Sequence, residues 1–205
     1  MPQKKRVRRS PEDARAMILE AAERVFAKHL PDVVGLKDVA REAGVSHALV
    51  THYFGTYAAL VEAALENRFA RLRVKLVGEI VATLEKNPDV GALLASYRRA
   101  IASAAADPVT VRLATWAVLS GRADAADFFS HRLQGLKVLA DTLEERSKLP
   151  REDLEFCIVA SFALAIVGQL GRHALAGGLG HRSLQSMEER TAEMMDAYLR
   201  RAKRR

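Results

Sequence analysis

The residues of this chain whose types and spacing could do chemistry lie between His47 and Tyr53. With about 100° between successive residues of a helix, His47, Ala48, Thr51 and His52 share one arc, and Leu49, Val50, Tyr53 and Phe54 share the opposite one. The first arc is small and polar, and it offers imidazole and hydroxyl donors to an acceptor outside the protein. The second requires a core. His47 and His52 are five apart, which is not the spacing of a helical metal pair. His131, His173, His181 and Cys157 have no ligand-like spacing either. No Ser, His and Asp set surrounds a recognisable nucleophile motif. Gly177-Gly178-Leu179-Gly180 falls between apparent helices and reads as a flexible connection, not a phosphate cradle. The residues therefore predict no enzyme, no metal and no cofactor. The two imidazoles read as neutral hydrogen-bond donors, with a pH-sensitive contact as the alternative.

The elements that must hold this arc flank it closely. Leu36, Val39, Ala40 and Ala43 recur at helical spacing and give a first helix one apolar face. Gly44 tolerates the left-handed conformation that ends a helix, Val45 is an apolar plug, and Ser46 is a good N-cap for the helix that follows. Leu36 to Phe54 is thus built as a helix-turn-helix, whose second helix lies in the major groove of double-stranded DNA. Upstream, Ser10-Pro11-Glu12-Asp13 is a helix start, and Ile18, Ala22, Val25 and Phe26 carry an apolar stripe to about Lys28. Leu30-Pro31-Asp32 breaks it. Downstream, Thr56 caps a long helix running to about Lys86, ended by Asn87-Pro88. Five more helices are predicted at about Val90–Ala106, Val109–Ser120, Ala123–Lys148, Arg151–Ala176 and Leu184–Arg201. No sustained period-2 alternation marks a strand. The expected fold is all-α, with about nine helices.

Charge is unevenly placed. The net charge is +7, yet the first nine residues and the last six each carry five basic side chains and no acid. Residues 1–75 hold 14 basic and 9 acidic side chains, and residues 76–199 hold 13 and 16. A positive head on a slightly negative body suits a nucleic-acid reader with a separate sensory or assembly domain. The N-terminal arm, with Arg6, Arg8 and Arg9, is suited to phosphate or minor-groove contact; a solubilising tail is the alternative. The C-terminal cluster reads as a solvated helix end favoured by the helix dipole. A single cysteine excludes an intrachain disulfide framework and fits a reducing cytoplasm. The basic N-terminus lacks the apolar region of a signal peptide. The longest apolar run, Phe156 to Gly168, is shorter than the roughly 20 residues of a membrane span.

The string Asp38-Val39-Ala40, Ala43-Gly44-Val45-Ser46, His52-Tyr53-Phe54 and Ala59-Leu60 resembles the TetR (tetracycline repressor) family of bacterial transcription regulators, most strongly over Ile18 to Leu60. The resemblance implies an all-helical homodimer whose last two helices pair with their mates. It also implies a body cavity for a small effector that shifts the two DNA heads out of register with a palindromic operator. The chain then divides into a basic arm (1–9), a three-helix helix-turn-helix domain (10–56), an effector-binding and dimerisation domain (57–201) and a basic tail (202–205). The implied function is a ligand-responsive repressor; an effector-independent architectural DNA-binding protein is the alternative. Lys37 sits where members approach DNA from the first helix of the motif. Ser46, His47, Ala48 and Leu49 open the recognition helix, Thr51 stands where many members have a phosphate-binding tyrosine, and His52 and Tyr53 can donate to phosphate. Gly35 replaces the usual Ser or Thr cap, and Leu30-Pro31 replaces a common glycine-aromatic pair; Tyr57, counted with the DNA-binding residues, replaces the usual lysine, keeping a hydrogen-bond donor but losing a charge.

For the effector pocket, large side chains of the middle helices are the candidates: Tyr97, Trp116, Phe128, Phe129, Phe162 and Gln169. A lipophilic or aromatic molecule is the default ligand. The dimer seam is expected along Phe156 to Gly171, where Ala160, Ser161, Ala163, Ala165 and Gly168 permit close helix approach, together with Met187, Met194, Met195, Tyr198 and Leu199.

Overall fold

Ser10 starts the first helix as its sequence dictates. Its hydroxyl accepts the Asp13 N–H at 3.1 Å, and the Asp13 carboxylate accepts the Ser10 N–H at 3.3 Å. This reciprocal box satisfies two donors that a helix start leaves orphaned. The computed structural model describes residues 10–86, 89–121, 134–178 and 187–203, excepting the side chains of 134, 169–177 and 187–188. Among the described residues the chain forms nine α-helices and no strand: α1 (Pro11–Lys28), α2 (Leu36–Ala43), α3 (His47–Phe54), α4 (Tyr57–Leu84), α5 (Val90–Ala105), α6 (Pro108–Leu119), α7 (Gln134–Arg146), α8 (Arg151–Gly178) and α9 (Met187–Ala202). A single turn of 3-10 helix, Pro31–Val33, joins α1 to α2. The expected helices at Ala123 and Leu184 begin outside the described residues. Helix α6 opens one residue earlier than its apolar pattern suggests, because Pro108 suits the first helical position and Asp107 caps it.

Two apolar cores organise the molecule. The head core gathers Ile18, Val25 and Phe26 of α1, Val39 of α2, Val50 and Phe54 of α3, and Leu60, Leu65 and Phe69 of α4. It also takes Val109, Leu113 and Ala117 of α6, so residues 10–56 do not close their core alone. The body core joins Leu76 and Ile80 of α4 to α5, α7, α8 and α9 through Leu94, Tyr97, Leu143, Leu154 and Met195. Leu72 and Phe162 pack against both cores. Among the described residues, helix α4 is therefore the one element that contributes buried residues to each.

Polar contacts fix α6 to the head. Arg112 donates to the carbonyls of Phe26, at 2.8 Å, and Ala27, where the end of α1 leaves acceptors unpaired. Arg68 of α4 bridges Glu23 of α1, at 2.8 Å, and Asp107 at the α6 start. Burial alone would raise the Asp107 pKa. Hydrogen bonds from the Thr110 side chain and backbone, with the Arg68 charge, reverse this and hold it below its ordinary value. In the body, Arg151 ties α8 to α7 through Asp141 at 2.7 Å and Glu144 at 2.6 Å.

Candidate nucleic-acid interface

Helix α3 is held by its two ends. Ser46 accepts the Leu49 N–H at 3.2 Å. At the other end Gly55 turns the chain at φ 69°, and Thr56 caps α4 by accepting the Ala59 N–H at 3.1 Å. Before it, Gly44 closes α2 at φ 66°, a left-handed value that side chains with a Cβ rarely adopt. Gly35 opens α2 without a hydroxyl. The Asp38 carboxylate instead accepts the Gly35 N–H at 2.9 Å, so half of a capping box survives from the far side. Arg24 of α1 locks α2 in place through Glu42 at 2.7 Å, and that hydrogen bond lowers the Glu42 pKa.

On this frame the two arcs of α3 fall as expected. Val50 and Phe54 are buried, and Leu49 and Tyr53 are half-buried. Ser46, His47, Ala48, Thr51 and His52 are exposed, as is Lys37 on α2. The His52 and Tyr53 rings meet edge to face at 5.3 Å, which orients both. Arg6, Arg8 and Arg9 lie outside the described residues.

Two donors are spent inside the protein. The Thr51 hydroxyl donates to the His47 carbonyl at 3.1 Å, so reaching a phosphate would require it to turn away from its own helix. The Tyr57 hydroxyl donates to the Pro31 carbonyl at 2.6 Å and is half-buried. Burial, followed by the nearby Asp32 and Asp38, raises its pKa. Tyr57 thus replaces an expected cationic phosphate contact with a pin from α4 to the α1–α2 turn. A Tyr57→Phe protein is expected to lose about 1 kcal/mol of stability and to keep its DNA affinity at a given salt. A urea midpoint and a binding isotherm check this; weaker DNA binding at unchanged stability would contradict it.

Sequence reasoning missed Arg15. Its guanidinium lies 5.1 Å from the centre of the Phe54 ring, bringing an exposed cation of α1 beside the last residue of α3. The signal was available only as an arginine on the first helix. Its neighbour in space lies 39 positions further along the chain.

A second feature lies where the two cores meet. A small cavity of about 20 Å³, room for about one water, is lined by Phe69, Leu72 and Leu76 of α4, Ile101 of α5, Leu136 of α7 and Phe162 of α8, with Gly135 and Arg73 completing it. Of the expected pocket residues Phe162 is present. Tyr97 does not line this cavity: it is fully buried and donates its hydroxyl to the Ile158 carbonyl at 3.0 Å, a core pin. Trp116 packs against the head core instead. Phe128, Phe129 and the Gln169 side chain lie outside the described residues. Cys157 is buried, and burial pushes its thiol up to about 11, so it is a core residue without a reactive thiolate. Among the described residues no group of three His, Cys, Asp or Glu side chains could hold a metal ion, and no helix is long and apolar enough to cross a membrane.

A capped helix-turn-helix with an exposed polar arc, set on an all-helical body, defines a class of DNA-reading fold. Residues 18–64 match the family of bacterial regulatory proteins, tetR family. An HTH-type transcriptional repressor of Mycobacterium tuberculosis is 36% identical over 73 residues, which cover 36% of this chain. An HTH-type transcriptional regulator of Mycobacterium bovis matches equally. The matched segment spans 39% of the length of these curated relatives. A tetR-family transcriptional regulator of Streptomyces coelicolor shares the fold with a TM-score of 0.68 at 21% identity, over 95% of this chain and 90% of that one. The fatty acid degradation regulator FadR of Bacillus halodurans does so with a TM-score of 0.65 at 15% identity, over 92% and 96%. Residues 18–64 thus carry the DNA-binding segment of the tetR family, and the whole chain shares its fold with regulators of that family.

Proposed function

We propose that the protein is a DNA-binding transcriptional regulator that acts as a homodimer on a palindromic operator, as a repressor released by a small lipophilic effector. The observation that carries this reading is the exposed arc of His47, Ala48, Thr51 and His52 on a helix whose opposite side is sealed into the head core. The phosphate contacts supply most of the affinity, and the start of α3 sets sequence preference. The repressor role is supported by the name of the Mycobacterium tuberculosis relative. A cytoplasmic location accords with it.

Dimerisation through α8 and α9 is supported by an apolar face left open on the single chain. Phe156, Val159 and Val167 of α8 and Met194 of α9 are each more than half exposed. The Phe156 and Tyr198 rings join the two helices at 5.0 Å. Such a continuous apolar surface is what an isologous two-fold contact covers. Met195 and Leu199, expected on this seam, face inward and belong to the body core. The Met187 side chain is outside the described residues.

Selection from a random DNA pool tests the reading. An inverted repeat is expected, with half-sites one helical turn or a multiple apart. Broad retention with no preferred sequence would leave the architectural alternative standing in its place. Deletion of residues 1–9 on the selected site is expected to weaken binding and reduce its salt dependence; an unchanged salt slope would remove the arm from the interface.

A further inference from the structure

Of the arginines between residues 10 and 75, Arg24, Arg41, Arg68, Arg71 and Arg73 each pair with a carboxylate within 2.8 Å. Arg15 pairs with none among the described residues. It is exposed, and its guanidinium carbon lies 5.1 Å from the centre of the buried Phe54 ring. A guanidinium held through its face by a ring keeps its N–H fork free at the edge. That fork matches a phosphate, which it can take through two parallel hydrogen bonds. Phe54 follows His47 by seven residues, so it lies within about 20° of His47 around α3 and roughly 10 Å farther along it. It therefore borders the exposed arc on the side of His47 and Thr51, at the end of α3 away from the base-reading start. The major groove is about 12 Å wide. With His47 at the base edges, a cation roughly 10 Å along the same side of the helix meets the backbone wall of the groove, not its floor.

We infer that Arg15 is a phosphate contact: its guanidinium, seated on Phe54, takes a DNA backbone oxygen at the edge of the groove that α3 enters. The inference rests on the DNA-reading role proposed for α3 and adds to it a residue from outside the helix-turn-helix. Charge placement gives the contact its weight. Between Arg41 and Arg68 the chain has no lysine or arginine, so α3 and the start of α4 bring no fixed positive charge of their own to a phosphate. The Thr51 and Tyr57 hydroxyls, on either side of Phe54 in sequence, are both bound within the protein. At this end of the reading helix the fixed charge comes from α1. The two helices then divide the half-site, α3 reading base edges and α1 holding the backbone that sets its register.

Salt titrations of duplex binding by the full-length protein test the inference, with the selected operator and a random-sequence duplex as probes. Arg15→Gln is expected to weaken binding about fivefold, equally on the operator and its single-base variants, and to reduce the salt slope by about one per half-site. Arg15→Lys keeps the charge but not the fork, so it should restore the slope and recover only part of the affinity. Lys28→Gln removes an exposed cation at the far end of α1 and is the matched control for net charge; it should leave both unchanged. Where Arg15→Gln loses its helical signal, Arg15→Met takes its place with the same expectation. An unchanged salt slope would overturn the inference. So would a Lys28→Gln effect as large as that of Arg15→Gln, or a loss confined to one base position. A lowered slope on the random duplex with no operator selected would sink the operator reading alone. A selected operator with an unmoved slope would sink this inference alone.

Discussion

An Arg68→Met protein is expected to unfold at lower urea, losing about 2 kcal/mol, although the residue belongs neither to the exposed arc of α3 nor to the cavity lining. Arg68 is 20% exposed and answers two carboxylates on different helices, Glu23 of α1 and Asp107 at the start of α6. Methionine keeps much of the apolar stem and removes the charge. A buried pair broken from one side costs about 3–5 kcal/mol. The loss here is smaller because Glu23 keeps Arg71, at 2.8 Å, and Asn67, at 3.0 Å. Asp107 likewise keeps the Thr110 hydroxyl at 2.6 Å. Arg71→Met is the matched comparison. That arginine is 52% exposed, and its loss should cost about 0.5 kcal/mol or less. Equal midpoints for the two variants would refute the role assigned to Arg68. Acid supplies a second check. The Asp107 pKa is depressed in the folded protein, so its contribution is whole above the ordinary value of 3.8 and is lost as the pH falls through the lowered one. The gap between Arg68→Met and the unaltered protein should therefore close at the acid end.

Replacement of His47 by alanine is expected to cost about 1–3 kcal/mol per half-site and to relax base preference at one position in each. His47 is the first residue of α3, exposed and placed directly after the Ser46 cap. Recognition helices of this type reach base edges with their N-terminal residues. Because the cap belongs to Ser46, the substitution leaves the frame of α3 intact. Binding to the selected operator and to its single-base variants, at one salt concentration, reads the effect. A loss uniform across sequences, with the salt slope reduced by about one, would make His47 a phosphate contact instead.

The contrast between these two residues explains how much was legible in the sequence. Local signals carried the head: Ser10 and Pro11 at a helix start, Gly44 past a helix end, Ser46 at the next start, and an apolar pattern that assigned each α3 residue its side. Each depends on neighbours within four positions, which a sequence displays directly. The Glu23–Arg68–Asp107 bridge spans three helices and was not legible, because a charged residue on a helix says nothing of which remote acid it will meet. Tyr57 illustrates the same limit. A hydroxyl at the start of α4 suggests a donor for phosphate, yet its acceptor is the Pro31 carbonyl, 26 residues earlier. The cavity was sought through the largest side chains, and size does not give direction: Tyr97 turned to the Ile158 carbonyl, while Leu72, Leu76, Ile101 and Leu136 form the walls. On α9 the adjacent Met194 and Met195 separate by burial, 54% against 1% exposed, and composition alone could not divide them.

The length of α4 has a mechanical consequence. Its 28 residues make an uninterrupted rod shared by both cores, roughly 42 Å long at about 1.5 Å per residue. A tilt of roughly 5° about its far end carries the near end, where Tyr57 and the recognition helix are attached, through roughly 3–4 Å, on the order of one base-pair step. A displacement too small to disturb the packing of Leu76 or Ile80 is thus geared up to the spacing that DNA itself sets.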